Sequence, residues 1–481
     1  MENDRMAVPE PLRQSLVAAG QDNVLSQVNT LNDAKLSLLV EQLEKLDLSA
    51  MKSLIDTYVT SAPAFSMSSD TKPAIYYPAD ATSTVRSYDA AKYIAAGEDL
   101  LRAGKVACFT VAGGQGSRLG YDGPKGCYPA GAVTGKPLFQ LFAEGIKATG
   151  NKYGTPVPWL VMTSPLNHEA TVGFFKEHSH FGLDANNVMF FPQGTMPSFD
   201  LATGKMLMSD AYTLAASPDG HGGSLKALYT SGAIATLKER GVEHISYFQV
   251  DNPLVRVADP LFLGLHASAP DSSGQMSSKM LPKAYAEEKV GLFAEIDGRT
   301  QVVEYSDMPM ELQRETNADG SLRFLAGNPA IHAFSVEFVE KVNTDPACTL
   351  PYHRAVKKIA HINTETGEAV TPAEPNGVKL ERFVFDAMPF AERSIILETS
   401  RVQEFAPIKN ASGIDSAESS RELQTERAAI WLEAAGVAVP RDGHAKADCV
   451  LEIGAMTALD AGDLAKADLP KAIERGQKLS L

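Results

Sequence analysis

The run Val111-Ala-Gly-Gly-Gln-Gly-Ser-Arg-Leu-Gly120, followed by Gly123-Pro-Lys-Gly126, sets glycines, an arginine and a lysine directly behind an apolar segment, Val106 to Ala112. Glycines at such a place let the backbone turn sharply and come close to a ligand. Successive backbone N–H groups form a concavity for an anion. Arg118 adds a planar fork for phosphate oxygens, and Lys125 adds a point charge. Two common phosphate motifs are excluded. Leu119 stands where the dinucleotide fingerprint needs its third glycine, and Lys125 lies between Pro124 and Gly126, which breaks the P-loop pattern. A bare turn with two surface charges is the competing reading. Four glycines with Arg118 and Lys125 behind a strand favour a nucleotide phosphate site.

A second candidate, Asp251, closes the apolar segment Ile245 to Val250. A carboxylate at the carboxyl end of a parallel strand sits where α/β sheets bind ligands. Helix capping is the ordinary alternative for an aspartate, but the next helix start is Asp259-Pro260, too far along for Asp251 to cap.

These residues need a scaffold, and the pattern around them supplies one. The first hundred residues read as helical: Leu36, Leu39, Val40, Leu43 and Leu46 build one stripe, with Asn32 or Asp33 as cap. Ser61 to Thr84 reads as an extended connector, and Asp89 to Ala103 as an amphipathic helix. From Lys105 strands and helices alternate. Strands are expected at Val106–Ala112, Val157–Thr163, Val188–Phe191 and His244–Val250. Helices are expected at Leu138–Ala148, Asn167–His178 and, as one long element, Ser224–Arg240, after a glycine-rich loop at Pro218–Gly223. That alternation predicts an α/β fold, a mostly parallel sheet flanked by helices. Further on, Leu292–Ile296, Gln301–Tyr305, Arg382–Phe385 and Ser394–Glu398 read as strands and Phe334–Val342 as a helix. The tail after Gly436 gives a weak signal. Three regions are expected: a helical one at 1–104, a catalytic one at 105–400 and a small one at 401–481.

Composition narrows the function. The 481 residues carry 44 Lys+Arg against 59 Asp+Glu, a formal charge of −15, which disfavours a general nucleic-acid or anionic-membrane binder. Hydrophobic residues at 44% and charged residues at 21% match a globular chain with a substantial core. Cys108, Cys127, Cys348 and Cys449 form no Cys-x-x-Cys pair, so neither a zinc ribbon nor a dithiol site is indicated. Met1 to Gly20 lacks the apolar core of a signal peptide, and no apolar run approaches a membrane span. The expectation is a soluble cytoplasmic protein.

The loop and a chain of further motifs carry a resemblance. Ala-Gly-Gly-x-Gly-Ser-Arg-Leu-Gly with Pro-Lys-Gly is similar to the signature of UTP-dependent nucleotidyltransferases that make UDP-sugars. Pro158 to Ser164, Phe190-Phe-Pro-Gln-Gly194, Ser217 to Gly223, Val250-Asp-Asn252, Val302 to Tyr305, Ala326-Gly-Asn328, Lys379 to Phe385 and Phe405 to Asn410 continue it in order. Within that group the sequence resembles the eukaryotic-type UDP-N-acetylhexosamine pyrophosphorylases, over roughly residues 10 to 437.

The resemblance implies a Rossmann-like nucleotide-diphospho-sugar transferase fold. It also implies a reaction of UTP with N-acetylglucosamine 1-phosphate, releasing pyrophosphate, with Mg²⁺ as cofactor. It makes Arg118, Lys125 and Lys409 the phosphate-handling residues and Asp251 the metal ligand. Ala112, Gly113, Gly114, Gln193, Gly220 and His221 would meet the nucleotide. Asn252, Gly291, Glu304, Tyr305, Asn328, Phe383 and Phe385 complete the substrate contacts. The two phenylalanines are expected on one strand face, around the acetamide, or as plain core aromatics. Glu304 and Tyr305 would need a bend to reach one sugar. His221 departs from the N-acetylglucosamine enzymes, which carry Asn, toward the UDP-glucose enzymes. A UDP-glucose or broad UDP-sugar pyrophosphorylase is therefore the near alternative. An inert nucleotide-sugar binding protein is the remoter one, since a pure binder needs no clamp on a leaving group.

Overall fold

A computed structural model describes residues 6–61 and 67–481. Residues 62–66 of the expected connector, and 1–5 of the N-terminal stretch, lie outside the described residues. The chain divides into two compact units, each discontinuous in sequence.

One unit comprises 1–66, 194–223 and 350–384. Its helices are α1 (Glu10–Ala18), α2 (Asp33–Glu44) and α3 (Leu48–Tyr58). The stripe read from the sequence is the buried face of α2: Leu36, Leu39, Val40 and Leu43. Asn32 caps it, its Oδ1 accepting from Lys35 N at 3.0 Å. That face packs with Phe199, Val378 and Leu380 in one core. Phe199–Asp200, Gly377–Glu381 and His353–Lys357 form a three-stranded antiparallel sheet. Burial of each such leucine contributes about 1.5–3 kcal/mol.

The other unit holds an eleven-stranded mixed sheet. Its strands are β1 (Thr71–Pro73), β2 (Val106–Val111), β3 (Trp159–Thr163), β4 (Val188–Pro192), β5 (His244–Gln249), β6 (Met276–Pro282), β7 (Leu292–Ile296), β8 (Arg299–Val303), β9 (Ala326–Gly327), β10 (His332–Ser335) and β11 (Ile396–Glu398). Neighbours follow the order β1-β7-β9-β6-β10-β5-β2-β3-β4, with β8 on β7 and β11 on β6. β5, β2, β3 and β4 are mutually parallel. β10 joins β5 antiparallel, and the far half continues antiparallel except for β11, which lies parallel to β6. The parallel half was legible because β2 and β3 are apolar almost throughout and buried on both faces.

Helices of this unit are α4 (Ala90–Arg102), α5 (Leu138–Tyr153), α6 (His168–Glu177), α7 (Gly223–Thr230, its first residue at the unit boundary), α8 (Ala233–Glu239), α9 (Pro260–Ser268), α10 (Met310–Gln313), α11 (Val336–Thr344), α12 (Arg401–Glu404) and α13 (Ala417–Ala434). α4 and α9 touch backbone to backbone. A Cβ on Gly97 would lie 1.9 Å from Pro260 O, and one on Gly264 1.8 Å from Tyr93 O.

Several element expectations need correction. The long helix at Ser224–Arg240 is two helices, because Gly232 adopts φ +80° and breaks the ladder. The helix expected at Phe334 begins at Val336. Ser335 caps it, and Phe334 belongs to β10. Arg382–Phe385 is not a strand. The ladder ends at Glu381 because Arg382 N instead bonds Asp219 O at 2.9 Å and Arg382 O accepts from Gly222 N at 2.7 Å. Val384–Phe390 then coils as a tight helical turn containing Pro389.

The tail after Gly436 has its own small core, in which Leu451, Leu464 and Ile473 pack on Trp431 and Leu432 of α13. Buried Glu452 ties it to the 130s loop, accepting from Val133 N and Thr134 N at 2.8 Å each. Among the described residues, no helix is long and apolar enough to cross a membrane.

Candidate active site

The glycine-rich loop leaves β2 and folds back on itself. Gly116 N donates to Gly123 O at 2.9 Å, and Lys125 N donates to Gly114 O at 3.1 Å. The hairpin returns Lys125 to the base of the loop, its side chain passing Gly114, where a Cβ would meet only Lys125 Cδ at 3.9 Å. Lys125 Nζ ends 3.6 Å from Asp251 Oδ2. The loop carrying Lys125 follows β2 and Asp251 follows β5, neighbouring parallel strands whose carboxyl ends lie side by side. Arg118 sits exposed in the short turn Ser117–Leu119, and it forms no ion pair with any described residue.

Behind the loop, Gln193 follows β4. Its Oε1 lies so close to Gly113 that a Cβ there would be 2.4 Å away. A side chain at 113 would displace the carboxamide, which sits beside the Gly113 backbone. Ala112 is fully buried and its N–H is committed to Met162 O at 2.7 Å. Sequence reasoning missed Asn167. Its Nδ2 donates to Ala112 O (3.0 Å) and Gly114 O (3.2 Å), while its Oδ1 accepts from Ser164 N at 2.8 Å. A buried Asn brace of this kind resembles a helix cap in sequence, and its position just before α6 hid it.

Asp251 and Asn252 are buried at the end of β5. Asn252 turns inward: Nδ2 donates to Glu404 O at 2.7 Å, and Oδ1 accepts from Ala406 N at 2.9 Å. Ile408 N donates to Asp251 O at 2.8 Å. The segment leading to Lys409 is thus bonded along the Asp251–Asn252 step. Lys409 itself is 44% exposed, 3.9 Å from Asp415. Burial raises the Asp415 carboxyl, and the Lys409 charge opposes that shift.

Gly291, Glu304 and Asn328 converge. Asn328 N donates to Gly291 O at 2.8 Å, and a Cβ on Gly291 would lie 3.1 Å from Glu304 Oε1. β8 ends at Val303, so strand alternation does not govern Glu304 and Tyr305. Both lie in a turn closed by Asp307 N to Glu304 O at 2.9 Å. The Tyr305 ring is exposed.

Gly220, His221 and Phe383 lie in the other unit. Gly220 has φ +83° and a Cβ there would meet Arg382 O at 2.4 Å. His221, Phe383 and His353 stack as three rings, with centroids 5.0 and 4.0 Å apart. His221 Nδ1 accepts from Val384 N at 3.1 Å, which leaves its proton on Nε2. Burial and the His353 charge hold that imidazole at about 4. Phe385 does not share a strand face with Phe383, for the reason given above. It is buried in the following turn.

No cluster of three or more His, Cys, Asp or Glu suited to a metal occurs among the described residues. Asp251 therefore offers one carboxylate. That donor set suits a hard cation such as Mg²⁺, which takes one or two carboxylates and completes its shell from phosphates and water.

Comparison with known proteins bears on the family and the fold. The family model for UTP–glucose-1-phosphate uridylyltransferase matches residues 71–432. UDP-N-acetylglucosamine diphosphorylase 2 of Arabidopsis thaliana is 36% identical over 449 residues, 89% of this chain and 85% of the relative. UDP-N-acetylglucosamine pyrophosphorylase of Saccharomyces cerevisiae is 38% identical over 73% of this chain and 74% of its own. The crystal structure of the Trypanosoma brucei uridine diphosphate N-acetylglucosamine pyrophosphorylase superposes with TM-score 0.80 at 25% identity, covering 98% of both chains.

Proposed function

We infer the reaction from one premise: the chain belongs to the UTP–glucose-1-phosphate uridylyltransferase family. Its relatives carry the name of UDP-N-acetylglucosamine pyrophosphorylase, and the reaction assigned to this chain is the same: UTP plus N-acetylglucosamine 1-phosphate gives UDP-N-acetylglucosamine and pyrophosphate. The observation that carries the chemistry is the approach of Lys125 Nζ to the Asp251 carboxylate at 3.6 Å.

A phosphate oxygen of the sugar 1-phosphate attacks the α-phosphorus of UTP in line. A new P–O bond forms, the bond to the β-phosphate oxygen breaks, and pyrophosphate leaves with the electron pair. No protein nucleophile is needed. The chain must align two anions, worth ~7–11 kcal/mol, and neutralise their charge. Lys125 and Arg118 grip the leaving pyrophosphate, Lys409 meets the α-phosphate, and Gln193 with Gly113 orients the uracil. Glu304 accepts from sugar hydroxyls, and Asn328 bonds a hydroxyl or the acetamide. Asp251 would hold Mg²⁺, which when bound neutralises phosphate charge. All four cysteines are unpaired thiols, which supports a reducing, cytoplasmic setting.

A pyrophosphate-release assay over a panel of sugar 1-phosphates tests the reading. N-acetylglucosamine 1-phosphate should give the highest kcat/KM. A preference for glucose 1-phosphate of about tenfold or more, ~1.4 kcal/mol, overturns the acetamide assignment. UDP-sugar binding with no exchange of labelled pyrophosphate overturns the enzyme.

A further inference from the structure

Lys279 lies in the middle of β6 with a side chain only 1% exposed. Its Nζ donates to Asp259 Oδ2 at 2.7 Å and to Glu404 Oε1 and Oε2 at 2.7 and 2.6 Å. The Glu404 carboxylate, equally buried, also accepts from Thr399 Oγ1 at 3.0 Å and Arg256 N at 3.2 Å. Arg256 adds a second cation, 3.4 Å from Asp259. Burying this many charges is costly, and apolar side chains of the same volume often serve stability as well or better. The cluster instead confers position.

Glu404 is the last residue of α12, and its carbonyl accepts from Asn252 Nδ2. Two residues later Ala406 N returns a bond to Asn252 Oδ1, Ala406 O accepts from Ser420 Oγ at 2.7 Å, and Ile408 N bonds Asp251 O. Lys409 comes next. Its side chain is half exposed and, among the described residues, leans on Asp415 and, at 5.6 Å, on the Phe405 ring. Where the ammonium can reach is therefore set by its backbone, which is held from one side by the 404–408 segment and from the other by Asp415, whose carbonyl accepts from Lys409 N at 2.6 Å.

We propose that Glu404, gripped by Lys279, is a positioning residue for the transfer reaction: it fixes the 404–408 segment against Asn252 and so holds Lys409 in register with Asp251. The proposal rests on the assignment of Lys409 to the α-phosphate. Its test is a double-mutant cycle on the full chain with Glu404→Gln, Lys409→Ala and the pair, measuring kcat and the KM for UTP. A 1 Å misplacement can cost up to 10²-fold, so Glu404→Gln should lower kcat by about 10- to 100-fold while the UTP KM stays within about threefold. In the Lys409→Ala background it should cost less than about twofold, because the lysine it serves is gone.

Amide exchange at Ala406 and Ile408 should quicken in Glu404→Gln while exchange in β2 and β3 does not. If Glu404→Gln fails to fold, Thr399→Val, which removes one bond to the same carboxylate, takes its place with a smaller effect and the same non-additivity. Equal losses in both backgrounds, or unchanged exchange at 406 and 408, overturn the positioning role while leaving Lys409 in place. A Lys409→Ala variant with undiminished kcat overturns the lysine assignment, and the positioning role with it.

Discussion

Lys125 Nζ stands 3.6 Å from Asp251 Oδ2, each side chain about one-eighth to one-sixth exposed. Two opposite charges at that distance attract by about 4 kcal/mol at an effective dielectric of 20. Without substrate they neutralise one another. In the proposed reaction a triphosphate would give Lys125 a better partner and release Asp251 to a cation. On the proposed roles the two halves of the pair should fail in different ways.

Removing the lysine should damage the step in which charge develops on the leaving group. Lys125→Ala should lower kcat by about 10²–10³-fold, the cost typical of losing one preorganised charge donor. UTP affinity, read by titration calorimetry, should change far less. A loss confined to UTP affinity with kcat untouched would contradict the leaving-group role.

The carboxylate should control the metal. Chelation of divalent ions should stop turnover of the wild type. Asp251→Asn should lower kcat by about two orders of magnitude at saturating Mg²⁺, corresponding to about 2.7 kcal/mol of lost charge stabilisation. Metal-free UTP binding should be retained or slightly tightened, because one negative charge no longer faces the phosphates.

Two glycines should separate function from folding. At Gly113 the neighbour of an added methyl is the movable Gln193 carboxamide, 2.4 Å away. Gly113→Ala should raise the UTP KM by about tenfold, the loss of roughly one good hydrogen-bond contact, with little change in Tm. At Gly264 the neighbour is backbone, Tyr93 O at 1.8 Å. Gly264→Ala should destabilise by about 3 kcal/mol or more, or fail to yield soluble protein, because α4 and α9 must separate.

Acid should weaken the fold through buried histidines. His266 is fully buried with Nδ1 on Ser277 Oγ at 2.8 Å, and burial holds its imidazole well below the ordinary value. His221, at about 4, adds to this. In the unfolded chain both titrate near 6.5. The unfolded state therefore binds the extra protons first, so stability is fully present above about pH 6.5 and falls below it, by up to ~1.4 kcal/mol per unit per group. Thermal melts should show Tm dropping from pH 7 to 5. His266→Asn should melt lower at pH 7 but with a shallower pH slope. An unchanged slope would exclude His266 as a contributor.

What the sequence by itself determined was local. An apolar run read as a parallel strand, a glycine pair behind it read as a phosphate turn, and Asp251 at the end of the later apolar run Ile245 to Val250 read as a ligand-side carboxylate. The strand reading survives because a buried parallel strand has no polar face, so its period and its end are visible in residue types alone, while the roles of the phosphate turn and the carboxylate are proposals.

Tertiary structure decided the pairings. Lys125 meets Asp251 because β2 and β5, 138 residues apart at the paired Thr110 and Phe248, are sheet neighbours. Asn167 reads as a cap and acts as a brace on the loop. Arg382–Phe385 has strand composition yet forms none, since its backbone bonds are taken by the 219–222 turn. Lys279, Asp259 and Glu404 are ordinary charged residues in sequence. Only the closing of β6, α9 and α12 around one another buries them together, and burial is what turns three surface-type side chains into a fixed joint.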